Sequence, residues 1–315
     1  MIKVLFSNAG RRTYLIKYIF DLIKSGYKIK VCVSDTSNKT ATFWVNKDIK
    51  KLITPRVTTN ENDYVENLLE KCVKEKINLI IPLMDYELPV LAKNQDRFLK
   101  IGTKVIISSQ EIVNTLLDKK LTEEFCLKRK IKYPKSYYSL NNFNFKFPVI
   151  RKRIKGSGSV GLSLVEKENE LNNFIEGKEF LQEYIEGQEI ATDILNDFNG
   201  NYIHACSRLN YLMRFGEMDK AKVTDDIKYS NLSKMISKTV KHVGPLSVDM
   251  IEDKKGEIYF IDFNPRFGGG YDFTHTAGCN YLRAIIDIYL NKKIKLPSKP
   301  KCITGMKGIE MFYYT

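Results

Sequence analysis

The chain predicts an α/β half followed by an α+β half, and three observations carry that expectation. From Met1 to about Lys120, short β-branched runs alternate with amphipathic helical stretches. From Phe147 onward, strand-like segments follow one another with few helices between them. Near the carboxy end, IYFIDFNPRFGGG sets Asp262, Asn264 and Arg266 alternately with Ile261, Phe263 and Pro265. Side chains two apart on a strand share a face, so one face here is polar and the other apolar.

In the first half, IKVLFS reads as a strand, TYLIKYIFDLIKS as an amphipathic helix stopped at Gly26, and KIKVCVSD as a strand ending on Asp35. NDYVENLLEKCVKEK is the next helix, NLIIPLM a buried strand and KVIISS another. This β-α-β rhythm implies a parallel sheet with helices on both faces. Ligands of such sheets gather at the carboxyl ends of the strands. The loops at residues 8–11 and 85–87 are therefore expected walls of a cleft.

VNTLLDKKLTEEFCLKRK follows as a helical segment stopping near Pro134. FPVIRKRI and GLSLVE read as strands flanking GSGSVG, and NELNNFIEG reads as a helix. EFLQEYI, EIATDIL and YIHACSRL are strand-like, SNLSKMISKTVKHVG is helical, and LSVDMIED pairs with EIYFIDFN as a hairpin. NYLRAIIDIYLN is the last clear helix. Antiparallel runs with helices packed on one side define the α+β region.

The composition excludes several classes. At 315 residues, 43% hydrophobic and 28% charged, the chain has room for two or three domain cores. No stretch reaches the roughly 20 apolar residues of a membrane span. The amino terminus reads as a strand rather than a signal peptide, so a cytoplasmic protein without a membrane partner is expected. Six scattered cysteines form no C-x-x-C pair, which argues against zinc and disulfides and for free buried thiols. Three histidines form no H-E-x-x-H and no nucleophile–base pairing, which disfavours a histidine mechanism. The net charge of +14 is spread over lysines interleaved with acids. It suggests attraction of anionic small molecules such as nucleotides, and no nucleic-acid partner.

Three constellations carry chemistry. EDKKGE between the two hairpin strands is a turn signal with Gly256 at its tip. A two-residue loop at Lys255 and Gly256, or a four-residue loop ending at Glu257, sets Asp249 across from Asp262 and Ser247 across from Asn264. Opposed Cβ atoms lie about 4.5–5.5 Å apart, and two such carboxylates repel unless a cation sits between them. Asp249, Asp262 and Asn264 are hard oxygen donors of the kind magnesium takes. Arg266, one step further, can hold a phosphate or carboxylate bidentately, or satisfy the acids as a plain ion pair.

The second constellation is GSGSVG. Its glycines continue into a strand rather than open a helix, so it reads as a hairpin flap whose amides can close over phosphates, or as a plain surface hairpin. Lys152, in the strand before it, can reach phosphate. The third is FLQEYIEGQEI, where Glu183, Tyr184 and Ile185 end a strand and Glu189 follows. Such a hinge can offer backbone groups to a base and a carboxylate to ribose, though exposed glutamates on a turn look the same.

Taken in this order, basic strand with glycine flap, acidic hinge and D…D-x-N-x-R, the chain resembles the ATP-grasp superfamily. The large chain of carbamoyl phosphate synthase and its small stand-alone relatives are the members it resembles most. The resemblance covers nearly the whole chain, and IDFNPR is its most specific piece. It implies a Rossmann-like pre-ATP-grasp domain over residues 1–112, a central subdomain with the flap over 113–182, and a nucleotide and metal subdomain over 183–315. It implies ATP and magnesium, with manganese as an alternative. Lys119 and Lys152 would hold phosphates, with Gly156, Ser157, Gly158 and Ser159 covering them. Glu183, Tyr184 and Ile185 would cradle adenine, and Glu189 would take the ribose. Asp249, Asp262 and Asn264 match the metal ligands, Arg266 the arginine that meets the phosphoryl group, and Lys222, in GEMDKAKVTDD, either a further γ-phosphate contact or a solvated loop lysine. Both metal acids are Asp where the family usually has a longer side chain, which leaves the ion count open. The activity implied is a carboxylate–amine (or similar nucleophile) ligase, forming a carbon–nitrogen bond and ADP through an acyl phosphate. Its partners would be small-molecule carboxylate and amine substrates, and a homo-oligomer is compatible. The rival reading is a non-catalytic nucleotide-binding regulator that keeps the fold.

Overall fold

The computed structural model describes residues 1–142, 144, 146–155, 161–214 and 216–313. Among them the chain forms three sheets. The first is five-stranded and parallel: β1 (Ile2–Ser7), β2 (Ile29–Asp35), β3 (Lys50–Ile53), β4 (Leu79–Pro82) and β5 (Lys104–Val105), in the order β3-β2-β1-β4-β5.

Alternation along the buried strands splits their side chains between two cores. Val4, Phe6, Val31, Val33, Leu79 and Ile81 pack on the face covered by α1 (Thr13–Lys24). Leu5, Cys32 and Ile80 pack on the other face, under α2 (Glu61–Glu75) and α3 (Leu88–Lys100). Asn60 caps α2 by accepting from the Asn62 and Asp63 amides, and Lys76 ends it in the left-handed region. Helix α3 was not read from the sequence; Pro89 in its first turn fits a helix start.

The expected single helix after β5 is two, α4 (Gln110–Leu117) and α5 (Lys119–Lys128). Asp118 separates them in an extended conformation, and its carboxylate accepts from the Lys120 and Leu121 amides. An N-cap aspartate in the middle of a helical pattern restarts the helix, and here it sets Lys119 as the first residue of α5. The expected boundary at residue 112 falls inside α4, and the one at 182 falls one residue before β9 ends.

The second sheet is small and antiparallel: β6 (Ser136–Tyr137), β7 (Val149–Arg153), β8 (Ser163–Val165) and β9 (Glu179–Glu183), in the order β6-β9-β7-β8. NELNNFIEG, expected as a helix, makes only a single tight turn over Glu168–Leu171. The third sheet is six-stranded and antiparallel: β10 (Gly187–Asn196), β11 (Tyr202–Arg214), β12 (Glu217–Thr224), β13 (Gly244–Asp253), β14 (Ile258–Asn264) and β15 (Thr304–Met306). Its order is β14-β13-β10-β11-β12-β15. One face buries Ile190, Ile194, Val248 and Phe263 against α4, α5 and α6 (Ile227–Val240). The other shares the first core, through Ala191, Val223 and the residues of α7 (Tyr271–Thr276) and α8 (Tyr281–Tyr289).

The described cysteines are all free thiols, buried except Cys302. Among the described residues no helix is long and apolar enough to cross a membrane.

Candidate active site

Ser247 pairs with Asn264 and Asp249 with Asp262 across β13 and β14, the register expected from the turn. The route to that register differs. The loop has three residues, Lys254, Lys255 and Gly256, closed by Asp253 N–H to Glu257 O at 2.9 Å and Gly256 N–H to Asp253 O at 3.0 Å. Gly256 takes φ +80°, which only glycine adopts cheaply. A three-residue loop slips the pairing by one residue, which would turn every side chain to the wrong face. Ile261 corrects it: Met250 pairs with Phe260 while Asp249 pairs with Asp262, so Ile261 is a bulge. The bulge also explains why Ile261 and Asp262 both line the cavity in front of the hairpin.

That cavity is about 460 Å³ and is lined from the start of α5, the four-stranded sheet, the six-stranded sheet and the loop after β14. Lys119, placed by the Asp118 cap, reaches across to ion-pair with Asp262. Lys152 projects from β7 of the small sheet and donates to Gln182 Oε1 at 2.6 Å. Glu189, on β10, accepts from Asn210 Nδ2 at 2.5 Å. Arg266 is 9% exposed and bidentate to Asp85 of the parallel-sheet domain, Nε to Oδ1 at 2.8 Å and Nη2 to Oδ2 at 2.7 Å. Its Nη2 also donates to Asn264 Oδ1 at 3.0 Å.

The electrostatics follow from crowding like charges at low solvent access. Burial, and then the neighbouring Asp262 carboxylate, push Asp249 up to about 7, against the pull of Arg208 and Arg266. Burial, with Lys119 adding to it, pulls Lys152 down to about 8, and Asp262, Asp249 and Glu189 resist. Burial also disfavours the Arg266 charge, but the Asp85 carboxylate outweighs it and holds the guanidinium protonated. Asp249 accepts no hydrogen bond among the described residues, and it lines the cavity. Among the described residues no group of three or more His, Cys, Asp or Glu is arranged to hold a metal ion. The donor set here is two acids and an amide.

The three glycines after Arg266 have distinct reasons, and a Cβ on Gly269 would lie 3.0 Å from Glu217 Cγ. A Cβ on Gly268 would lie 2.3 Å from Ser247 Oγ, and one on Gly270 would lie 2.6 Å from the Arg208 guanidinium. Successive carbonyls of this loop are held from outside the sheet: Phe267 O by Arg12 at 2.8 Å, Gly268 O by Tyr14 at 3.2 Å and Gly269 O by Lys307 at 2.5 Å.

Lys119, Lys152, Glu189, Asp249, Asp262, Asn264 and Arg266 all line the one cavity. Gly156, Ser157, Gly158 and Ser159 lie outside the described residues. Glu183 ends β9, and Tyr184 and Ile185 lie in the link to β10; Glu183 and Tyr184 are exposed, and none of the three lines the cavity. Lys222 does not join the site. The stretch expected as a loop is β12, where Lys222 pairs with Leu209 while Val223 pairs with Arg208. Directly paired residues share a face, so Lys222 points away from the cavity and into solvent.

Arg208 was missed. It is 1% exposed at the cavity wall, held by Asp193 Oδ2 at 2.7 Å and Thr274 Oγ1 at 3.0 Å. An aspartate inside EIATDIL and an arginine inside YIHACSRL, two otherwise buried strands, were the available signal, since such charges persist only as a pair.

Residues 4–106 match the family model of PylC-like amino-terminal domains, and residues 116–270 that of ATP-grasp domains. The chain thus carries a PylC-like amino-terminal domain followed by an ATP-grasp domain. The 2-oxoglutarate carboxylase small subunit of Hydrogenobacter thermophilus is 27% identical over 140 residues, covering 38% of this chain. The match spans 30% of that curated relative, less than a third of its length. Among solved structures, the biotin carboxylase domain dimer of the same organism's 2-oxoglutarate carboxylase, in complex with MgADP, ADP and bicarbonate, superposes with a TM-score of 0.71. It is 16% identical and is covered over 93% of this chain and 70% of its own. L-amino acid ligase from Bacillus licheniformis gives 0.71 at 14% identity, over 92% of this chain and 74% of its own. N5-carboxyaminoimidazole synthetase from Staphylococcus aureus, complexed with ADP, gives 0.73 at 14%, over 94% and 79%. At these identities the likeness establishes the fold.

Proposed function

We propose that the protein is an ATP-dependent ligase joining a carboxylate to an amine, or to a similar nucleophile, through an acyl phosphate. One observation carries this reading: Asp249, Asp262, Asn264, Lys119, Lys152 and Arg266 surround a single cavity large enough for a small ligand. No nucleophile–base pair is needed, because phosphoryl transfer asks mainly for positioning and charge neutralisation.

Lys119 and Lys152 hold the terminal phosphates of ATP, and Glu189 takes the ribose. The substrate carboxylate oxygen attacks the γ-phosphorus and ADP leaves. The nucleophile then attacks the acyl carbon, and inorganic phosphate departs with the bonding electrons. Arg266, fixed by Asp85, faces the negative charge of the acyl phosphate with its orientation already set.

The donor set suits magnesium or manganese, since hard oxygens face each other and one carboxylate has no partner of its own. Such an ion, when bound by Asp249, Asp262 and Asn264, would neutralise charge on the phosphates. The test is an ADP-release screen across carboxylates and amines with magnesium present. Turnover with one pair, lost in Asp262→Ala with the fold intact, supports the ligase. Nucleotide binding with no turnover across a broad panel supports the regulator instead.

A further inference from the structure

A second cavity of about 580 Å³ adjoins the first. Its walls come from the amino end of α1, the turn into β12, α7 and the segment after β15. Met218 lines both cavities, and Gly269, which lines the first, turns its carbonyl oxygen toward Lys307 in the second. Met218 and Gly269 thus stand where the two cavities meet, with Glu217 packed against Gly269.

Lys307 Nζ projects into this space, 21% exposed at its side chain. It donates to Gly269 O at 2.5 Å and lies 3.6 Å from both Glu217 Oε2 and Asp272 Oδ2. The Tyr14 ring stands 5.3 Å from it. Two carboxylates, a carbonyl and an aromatic face are the surroundings a primary ammonium group takes. Lys307 belongs to a segment held at the sheet edge, through β15 and its own amide to Asp219 O at 2.9 Å, and at α1 through the ion pair of Glu310 with Lys17.

We propose that this cavity seats the attacking amine, a primary aliphatic ammonium, at the position Lys307 Nζ holds in the resting protein. The inference rests on the ligase reading. The substrate displaces the lysine, whose four methylenes let it swing aside. Glu217 receives the proton as the amine becomes nucleophilic, because Asp272 is already engaged by Tyr18 Oη at 2.6 Å. The nitrogen then forms its bond to the acyl carbon as the carbon–oxygen bond to phosphate breaks, and phosphate leaves with the electron pair.

The test uses n-propylammonium chloride as probe, titrated calorimetrically into the full chain without ATP. Lys307→Ala should bind it saturably and at least tenfold more tightly than the wild type, with tetramethylammonium not bound. Glu217→Gln in that background should cost at least tenfold. Lys307→Met, which keeps the methylene packing, serves if the alanine variant does not fold. In turnover, Lys307→Ala should lower KM for the amine and leave KM for the carboxylate unchanged, a split that a purely structural brace would not produce. Equal binding by wild type and variant, or indifference to Glu217→Gln, overturns the proposal. Probe binding without any ADP release would reject the ligase reading but keep the ammonium seat; ADP release without probe binding would do the reverse.

Discussion

The two antiparallel sheets that face each other across the first cavity are built to different standards. The six-stranded sheet is packed on both faces, with Ile194, Val248 and Phe263 on one side and Ala191, Val223 and Tyr271 on the other. Among the described residues the four-stranded sheet rests on a small core cluster of four, Val149, Val165, Leu171 and Leu181. The former carries both acids and Asn264, with Arg266 two residues past the end of β14; the latter carries Lys152. Thin cores open at lower free energy than thick ones. The groups whose mutual spacing matters most therefore stand on the stiffer wall, and the lysine that must meet and release phosphate stands on the softer one.

The contrast is broken most severely at the acids. Asp262→Ala should lower ADP release by at least about a thousandfold, on the scale of losing a preorganised electrostatic contact, while circular dichroism and Tm stay near wild type. Phe263, fully buried on the back of the same strand, tests the stiffness itself. Phe263→Ala should cost about 3–5 kcal/mol of global stability by denaturant titration. Leu181→Ala in the small sheet should instead raise hydrogen exchange locally, with a smaller shift of the global midpoint.

Gly268→Ala should cost about 1–3 kcal/mol, the usual range for overpacking, because its Cβ meets Ser247 on β13 rather than solvent. The smallest effect belongs to Lys152. Its charge is disfavoured in the fold, with the ammonium pulled down to about 8 from its ordinary 10.5 by burial. Lys152→Met should therefore stabilise the nucleotide-free protein by about 1–2 kcal/mol at pH 7. Between pH 8 and 10.5 the unfolded wild type binds more protons than the folded one, so its stability rises with pH and the gap closes. The same variant should lose ATP affinity at pH 7.

The pairing of Asp249 with Asp262 was legible because alternation and a glycine turn are both local signals. The bulge at Ile261 was not, since nothing in IYFIDFN marks which residue the ladder skips. Lys119 could be placed only by resemblance; Asp118 as an N-cap was visible in LLDKKLT but lies within an unbroken helical pattern. Lys222 went astray because Met218, Ala221 and Val223, which make β12 a strand, were outweighed by the charges around them. The parallel sheet was readable from its rhythm, yet the pairing of Asp85 with Arg266 joins residues 181 apart, and no short-range pattern reports such a contact.

What the whole interpretation requires is that two facing aspartates on β13 and β14 secure a nucleotide's terminal phosphates through a shared cation. Calorimetric titration of ATP into the wild type and into Asp249→Asn/Asp262→Asn, each with magnesium and with chelator, addresses this directly. Binding that needs magnesium in the wild type and weakens at least a hundredfold in the folded double variant is the expected result. Equal affinity in both proteins, or affinity indifferent to magnesium, would contradict it.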